Sequence, residues 1–131
     1  MNPAIPTEQA VLTAASAIVD AYAATDGPRY FSLFAPDASF IFHTEPARIE
    51  DRAAYERLWQ EWVVAGWAVT SCVSSARRVQ SFPGGAVFTH SVGTSVTTAD
   101  GPETYRERET IVFRLEADTL VAIHEHLSPE P

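Results

Sequence analysis

The stretch ETYRERETIVFRLEADTLVAIHEHLS, residues 103–128, decides the fold. Apolar and polar side chains alternate with period two on both sides of Ala117-Asp118, as in two strands joined by a tight hairpin turn. Opposite residues of an antiparallel hairpin have a constant index sum. With Ala117-Asp118 as the turn, Glu116 faces Thr119, Phe113 faces Ala122, Ile111 faces His124 and Glu109 faces His126. Asp100-Gly101 is the turn expected before it, so that Val96 faces Tyr105, Thr94 faces Glu107, Val92 faces Glu109 and His90 faces Ile111. Paired residues share a side of the sheet. Leu115, Phe113 and Ile111 make that side apolar, hence the side packed under helices.

Working outward, the same period predicts strands over about 67–81, 86–98, 103–115 and 120–127, with Pro83-Gly84-Gly85 as the remaining separator. Before Trp67 the period is helical. Thr7 caps a first helix, with Glu8 in its first turn and Val11, Ala15, Ile18 and Tyr22 along one face. Pro28 opens a short second helix through Phe34, and Pro36-Asp37 breaks it. Residues 38–43 read as a short strand. Asp51 caps a third helix with Tyr55, Leu58, Trp59, Trp62 and Val63 on its apolar face, stopped by Gly66. Helices first and then a meander of strands predict an α+β fold: about three N-terminal helices packed on a strongly curved antiparallel sheet. The 131 residues, 46% of them hydrophobic and 20% charged, fit one domain over 1–131, with 1–6 and 129–131 as loose termini.

Composition excludes several functions. Nine Arg, no Lys, and 17 Asp and Glu give a net charge of −8. Such a surface repels nucleic acid and anionic membranes, and it offers no lysine for Schiff-base chemistry. Apolar runs fall well short of the roughly 20 residues that cross a bilayer. The first residues lack the basic cluster and unbroken apolar run of a secretory leader, so a cytoplasmic protein is expected. Cys72 is the only cysteine, a small buried thiol by expectation, and it forms neither an intrachain disulfide nor a cysteine metal site. No glycine-rich phosphate loop, nucleophile elbow or metal motif is found, so neither cofactor nor metal is expected.

The element order resembles the nuclear-transport-factor-like cone of the cystatin-like superfamily. Arg-Glu-Thr-Ile-Val-Phe (108–113) followed by Ile-His-Glu-His-Leu-Ser (123–128) is similar to the SnoaL-like family, whose members commonly end in an Arg-x-Thr strand and a His-x-His-x-Ser strand. It is also similar to the association domain of calcium/calmodulin-dependent protein kinase II. The resemblance implies a cone with an internal pocket, on a fold that hosts isomerases, dehydratases, cyclases and plain binding modules. Two departures restrict what carries over. Ile111 stands where the kinase domain has a pocket arginine after its Glu-Thr pair. Phe40-Ile41-Phe42-His43 stands where ketosteroid isomerases carry an acidic base.

The expected register places Phe88, His90, Val92, Thr94, Glu107, Glu109, Ile111, Phe113, His124, His126 and Ser128 on one concave surface. Three histidines gather around Glu109. Glu109 and His126 could form a cross-strand pair that closes the cone, orient a ligand, or act as an acid–base pair; His90, His124 and His126 could also hold a metal. Tyr55, Trp59, Trp62, Phe88, His90, Val92, Glu107, Ile111, Phe113 and His124 are the expected ligand contacts. Tyr55, Trp59 and Trp62 at helical spacing are more often core than an aromatic ligand cage. His43 serves as a donor at the pocket mouth or lies exposed. One of Arg77 and Arg78 should face the cavity, while Arg106, Arg108 and Arg114 fall on the convex side. The first reading is a protein binding a small hydrophobic ligand. The alternatives are a cofactor-free isomerase, dehydratase or cyclase acting on a polyketide- or terpenoid-like compound, with Glu109 and His126 catalytic, and an oligomerisation domain. Val112, Val121, Ile123 and Leu127, with Arg108, Arg114 and Glu125, form the convex patch expected to pair two copies as a homodimer.

Overall fold

The computed structural model describes residues 3–131. Each helix starts on the cap that its sequence supplies. The Thr7 side chain accepts from the Ala10 N–H ahead of α1 (Glu8–Ala23), which buries Val11, Ala15 and Ile18. Asp26 caps α2 (Gly27–Ser32), whose first turn holds Pro28 and whose buried face carries Tyr30 and Phe31. Asp51 caps α3 (Arg52–Val64), which buries Tyr55 and Trp59. The strands are β1 (Phe34–Phe42), β2 (Ala68–Phe82), β3 (Gly85–Thr98), β4 (Gly101–Glu116) and β5 (Thr119–Pro129). They form one curved sheet in the order β1-β5-β4-β3-β2, with the helices on its concave side. The α+β architecture is the one expected.

Four details differ from expectation, and each has a physical reason. First, β1 runs parallel to β5, so the sheet is mixed rather than wholly antiparallel. As an edge strand β1 tolerates Pro36, and it continues through Pro36-Asp37 with a register irregularity between Phe34 and Ser39. Second, the β3–β4 turn is Ala99-Asp100, because Thr98 pairs with Gly101. The Thr98 hydroxyl accepts the Asp100 N–H and donates to the Gly101 carbonyl, and Gly101 takes φ +113° just beyond. His90 therefore faces Glu109, and Val92 faces Glu107. This two-residue shift leaves every side chain on its expected side of the sheet.

The third difference does not. Val112 pairs with His124 while Phe113 pairs with Ala122, so Ile123 is an extra residue, a β-bulge. Ile123 and His124 both turn outward, and every residue after them changes sides. Ile111 faces Glu125, and Glu109 faces Leu127. His124 and His126 leave the concave surface, while Glu125 enters it and is 2% exposed. Fourth, neither terminal segment is free where the structure describes it. Ala4 accepts from the Gly84 N–H, Pro129 pairs with Glu107, and the Glu130 N–H donates to the Arg106 carbonyl.

The core is built on aromatic rings. Tyr30 stacks on Trp59 with centroids 5.1 Å apart and 22° between planes, and Tyr55 meets Phe31, Phe40 and Phe42 edge-on. Phe88, Ile111 and Phe113 close the narrow end of the cone, each at most 1% exposed. Replacing Ile111 with Arg buries a charge among these groups and should cost on the order of 3 kcal/mol or more. Thr110→Arg, on the convex side, should cost well under half of that. Chemical denaturation of the two variants measures the difference, and equal losses would show the two faces to be misassigned.

Candidate functional site

Between the helices and the concave sheet face lies a cavity of about 630 Å³, within the range of small-molecule sites. Its walls are largely apolar and aromatic. Tyr22 comes from α1, Tyr30 from α2, Tyr55 and Trp62 from α3, and Phe42 from β1, with Trp67 beside them. The sheet supplies Val92, Thr94 and Val96 from β3, Tyr105, Glu107 and Glu109 from β4, and Glu125 and Leu127 from β5.

The floor is a continuous chain of hydrogen bonds. The Ser74 hydroxyl lies 2.6 Å from His90 Nδ1, and His90 Nε2 lies 2.6 Å from Glu109 Oε1. Glu109 is hydrogen-bonded in turn to Glu125. The Tyr30 hydroxyl is 3.1 and 3.2 Å from the two Glu125 oxygens and 3.2 Å from the Tyr55 hydroxyl. Tyr30 has one proton and gives it to Glu125, so Tyr55 donates to Tyr30.

Burial sets the protonation of this chain. It pushes Glu109 up to about 7 against the pull of its hydrogen bond to Glu125, with Glu107 adding to the rise. Burial, reinforced by the neighbouring Glu109, raises Glu125 well above the usual carboxyl range. Two carboxyls in contact cannot both ionise cheaply, so the proton between them stays on Glu125. Burial also drives His90 down to about 4. His90 is therefore neutral, and its contact with Glu109 is a hydrogen bond rather than an ion pair. In that state Nε2–H donates to Glu109 and Nδ1 accepts from Ser74. Nearer the mouth, Glu107 bonds the His43 imidazole; burial raises this carboxyl and His43 pulls it back. Cys72 also lines the cavity, 3.8 Å from the Thr94 hydroxyl, and burial pushes its thiol up to about 11. It stays a thiol at neutral pH.

The expected site residues divide into three groups. Glu109, Glu107, Val92, Tyr55 and Trp62 stand on the cavity wall, and so does His43. His90, Trp59, Phe88, Ile111 and Phe113 lie behind that wall in the core, each 4% exposed or less. His124 and His126 are on the other side of the sheet, where His124 Nδ1 lies 2.9 Å from the Ser39 hydroxyl. The bulge thus dissolves the expected Glu109–His126 pair, and with it any metal site shared by His90, His124 and His126. Arg77 and Arg78 are both exposed and neither lines the cavity; a register break lies between Ser75 and Arg78, and Arg77 borders a smaller recess between α1 and β2 instead. Glu125, Tyr30, Tyr22 and Tyr105 are wall residues that the sequence reading missed. Tyr30 and Tyr22 carried a weak signal, as buried phenols that need a polar neighbour.

Three helices over a curved five-stranded sheet, closing on an internal cavity, define a cystatin-like cone of the NTF2-like kind. The chain belongs to the SnoaL-like domain family, which it matches over residues 11–130. Among solved structures it is similar to an NTF2-like protein from Cytophaga hutchinsonii, with TM-score 0.82 and 12% identity, covering 95% of this chain and 99% of that one. A ketosteroid isomerase-like protein from Erwinia carotovora atroseptica gives TM-score 0.81 at 13% identity, covering 94% and 96%. A candidate calcium/calmodulin-dependent kinase II association domain from Exiguobacterium sibiricum gives 0.79 at 15%, covering 96% of each chain. At these identities the likeness is one of fold. No curated protein matches the sequence. Among the described residues no helix is long and apolar enough to cross a membrane.

The floor chemistry gives stability a definite pH dependence. A carboxyl raised on folding destabilises the native state as pH climbs from its unfolded value to its folded one. A histidine lowered on folding does the reverse between its folded and unfolded values. For His90 that opposing contribution is complete by about pH 6.5. Above it the carboxyls act alone, so the melting temperature should fall between about pH 6.5 and pH 8.5. Glu109→Gln should flatten the fall, since it removes one titrating group and relieves Glu125. A wild-type melting temperature that rises over this range in calorimetry would refute the assignment.

Proposed function

We propose that this protein binds a small, largely apolar organic molecule inside its cone. The observation that carries this reading is the aromatic-walled cavity whose floor is the Glu109–Glu125 carboxyl pair. The cavity volume suits a ligand of drug-like size, and the floor offers a few convergent polar groups that fix its orientation. The ligand contacts are Tyr55, Trp62, Val92, Glu107 and Glu109 together with Tyr30 and Glu125, with no cofactor called for. His90 orients Glu109 from behind.

One observation favours a second reading, a cofactor-free isomerase, dehydratase or cyclase. Glu109 faces the cavity with its acidity held near neutrality, where a carboxyl can both take and return a proton. Glu109 is then the base, and Glu125, its protonated neighbour, takes the place first expected of His126. Thermal-shift screening of hydrophobic metabolites, followed by mass spectrometry of each hit, separates the readings. A binder should return its ligand unchanged and lose about 1 kcal/mol of affinity in Glu109→Gln. A catalyst should convert it and lose about 100-fold or more of turnover in the same variant. Failure of every apolar compound to shift the melting temperature would count against both.

The oligomer is a homodimer in this reading, joined through the convex sheet face. With the bulge taken into account, its patch is Val112, Val121 and Ile123 with Arg108, Arg114, His124 and His126; Glu125 and Leu127 belong to the cavity instead. An isologous pairing covers the same aliphatic patch on both copies. Light scattering at micromolar concentration should give a dimer that Ile123→Glu dissociates, and a monomeric wild type would end this proposal.

A further inference from the structure

The ligand-sized cavity has an unusual charge census. Six of its lining residues are acidic: Glu45, Asp100 and Glu103 toward the mouth, then Glu107, Glu109 and Glu125. Among the described residues none of the nine arginines lines it. The imidazole at the mouth, His43, is already bonded to Glu107. A carboxylate, phosphate or sulfate group entering this space would meet no cationic partner and would be repelled along its whole path.

The walls point to the opposite kind of ligand. Tyr22, Tyr30, Tyr55, Trp62, Trp67 and Tyr105 surround the cavity, and aromatic faces attract cations strongly once water is excluded. At the floor, Glu109 and Glu125 are 9% and 2% exposed and face the cavity, and among the described residues no arginine pairs with either. Their partners His90 and Tyr30, with Ser74 and Tyr55 bonded behind those, are all neutral hydrogen-bonding groups. Hydrogen bonds satisfy both carboxyls sterically but leave the charge of Glu109, once it ionises, uncompensated. A buried carboxylate is stabilised most by an opposite charge set against it.

We propose that the cavity takes a lipophilic ammonium ion, an aromatic or hydrocarbon body carrying one positive nitrogen, with that nitrogen seated against Glu109 and the body between the aromatic walls. This rests on the reading of the cone as a ligand site and narrows it to a chemical class. The acidic mouth draws such a ligand in from solution. An ammonium beside Glu109 favours its ionised form, so binding near or below neutrality expels a proton from the Glu109–Glu125 pair. The other groups facing that pair do not reproduce the effect. His90 is already neutral, Tyr22, Tyr30, Tyr55 and Tyr105 are held protonated, and Cys72 stays a thiol. Glu107 is the one neighbour able to add to the proton count, through its bond to His43.

Three probes of one shape test the class: 4-phenylbutylammonium, neutral 4-phenylbutanol and anionic 4-phenylbutyrate, titrated calorimetrically into the full-length wild-type protein. The ammonium should bind at least about tenfold more tightly than the alcohol at about pH 7.5, with the butyrate weakest. That preference should shrink at about pH 5.5, where protonated carboxyls no longer favour a cation. Repeating the titration at about pH 6.5 in buffers of different ionisation enthalpy should reveal proton release for the ammonium and none for the alcohol. Glu109→Gln should reduce the ammonium preference to a few-fold while the alcohol still binds. Alcohol binding that equals or exceeds ammonium binding, or ammonium binding without proton release, overturns the cationic class and leaves the apolar pocket standing. No binding of any probe at about 1 mM overturns the pocket reading as well.

Discussion

A single extra residue in β5 organises the site. The bulge at Ile123 turns two successive side chains outward and exchanges the faces of the rest of the strand. Without it, His124 and His126 would stand over Glu109 and Glu125 would lie in solvent. With it, Glu125 is carried into the core against Glu109 and beneath the Tyr30 hydroxyl. Two carboxyls then share a region from which water is largely removed, and their acidities must separate. One keeps its proton, and the other is poised near neutral pH.

The surroundings hold that arrangement in place. Isolated buried carboxylates cost several kcal/mol each, and here the cost is limited by neutralising one and hydrogen-bonding both. Ser74 and His90 approach from β2 and β3, while Tyr30 and Tyr55 approach from α2 and α3. The floor therefore ties the helical layer to the sheet through polar contacts at the one place where the apolar core is interrupted. The aromatic cluster supplies the rest of the cohesion, and its Trp59–Tyr30 stack keeps the Tyr30 hydroxyl aimed at Glu125. Packing thus positions a proton donor.

Much of this was legible beforehand. The helix starts at Thr7 and Asp51 followed from capping chemistry and that of the second helix from Pro28, and the long strands followed from period-two alternation. The inner side of β3 and β4 was also readable, because the error at Ala99-Asp100 was two residues and parity survives an even shift. Glu107 and Glu109 were placed inside for that reason. A bulge is an odd shift, and its effect is the opposite. The residues around Ile123 alternate acceptably in either register, so nothing local announced the extra one. The parallel pairing of β1 with β5 was hidden likewise, since strand neighbours far apart in sequence leave no periodic trace.

The sequence by itself determined which segments become helices and strands, the acidic balance of the chain, and the apolar character of the concave face. These depend on local propensity, capping and side-chain period, which are properties of neighbouring residues. Which charged groups meet inside the cone was decided only in three dimensions. Glu125 reaches Glu109, His126 does not, and no arginine joins them, because register across β4 and β5 and the closure of α2 over the sheet set those distances. Their shifted acidities follow from the same assembly: desolvation is a property of everything packed around a group, and the chain acquires it only on folding.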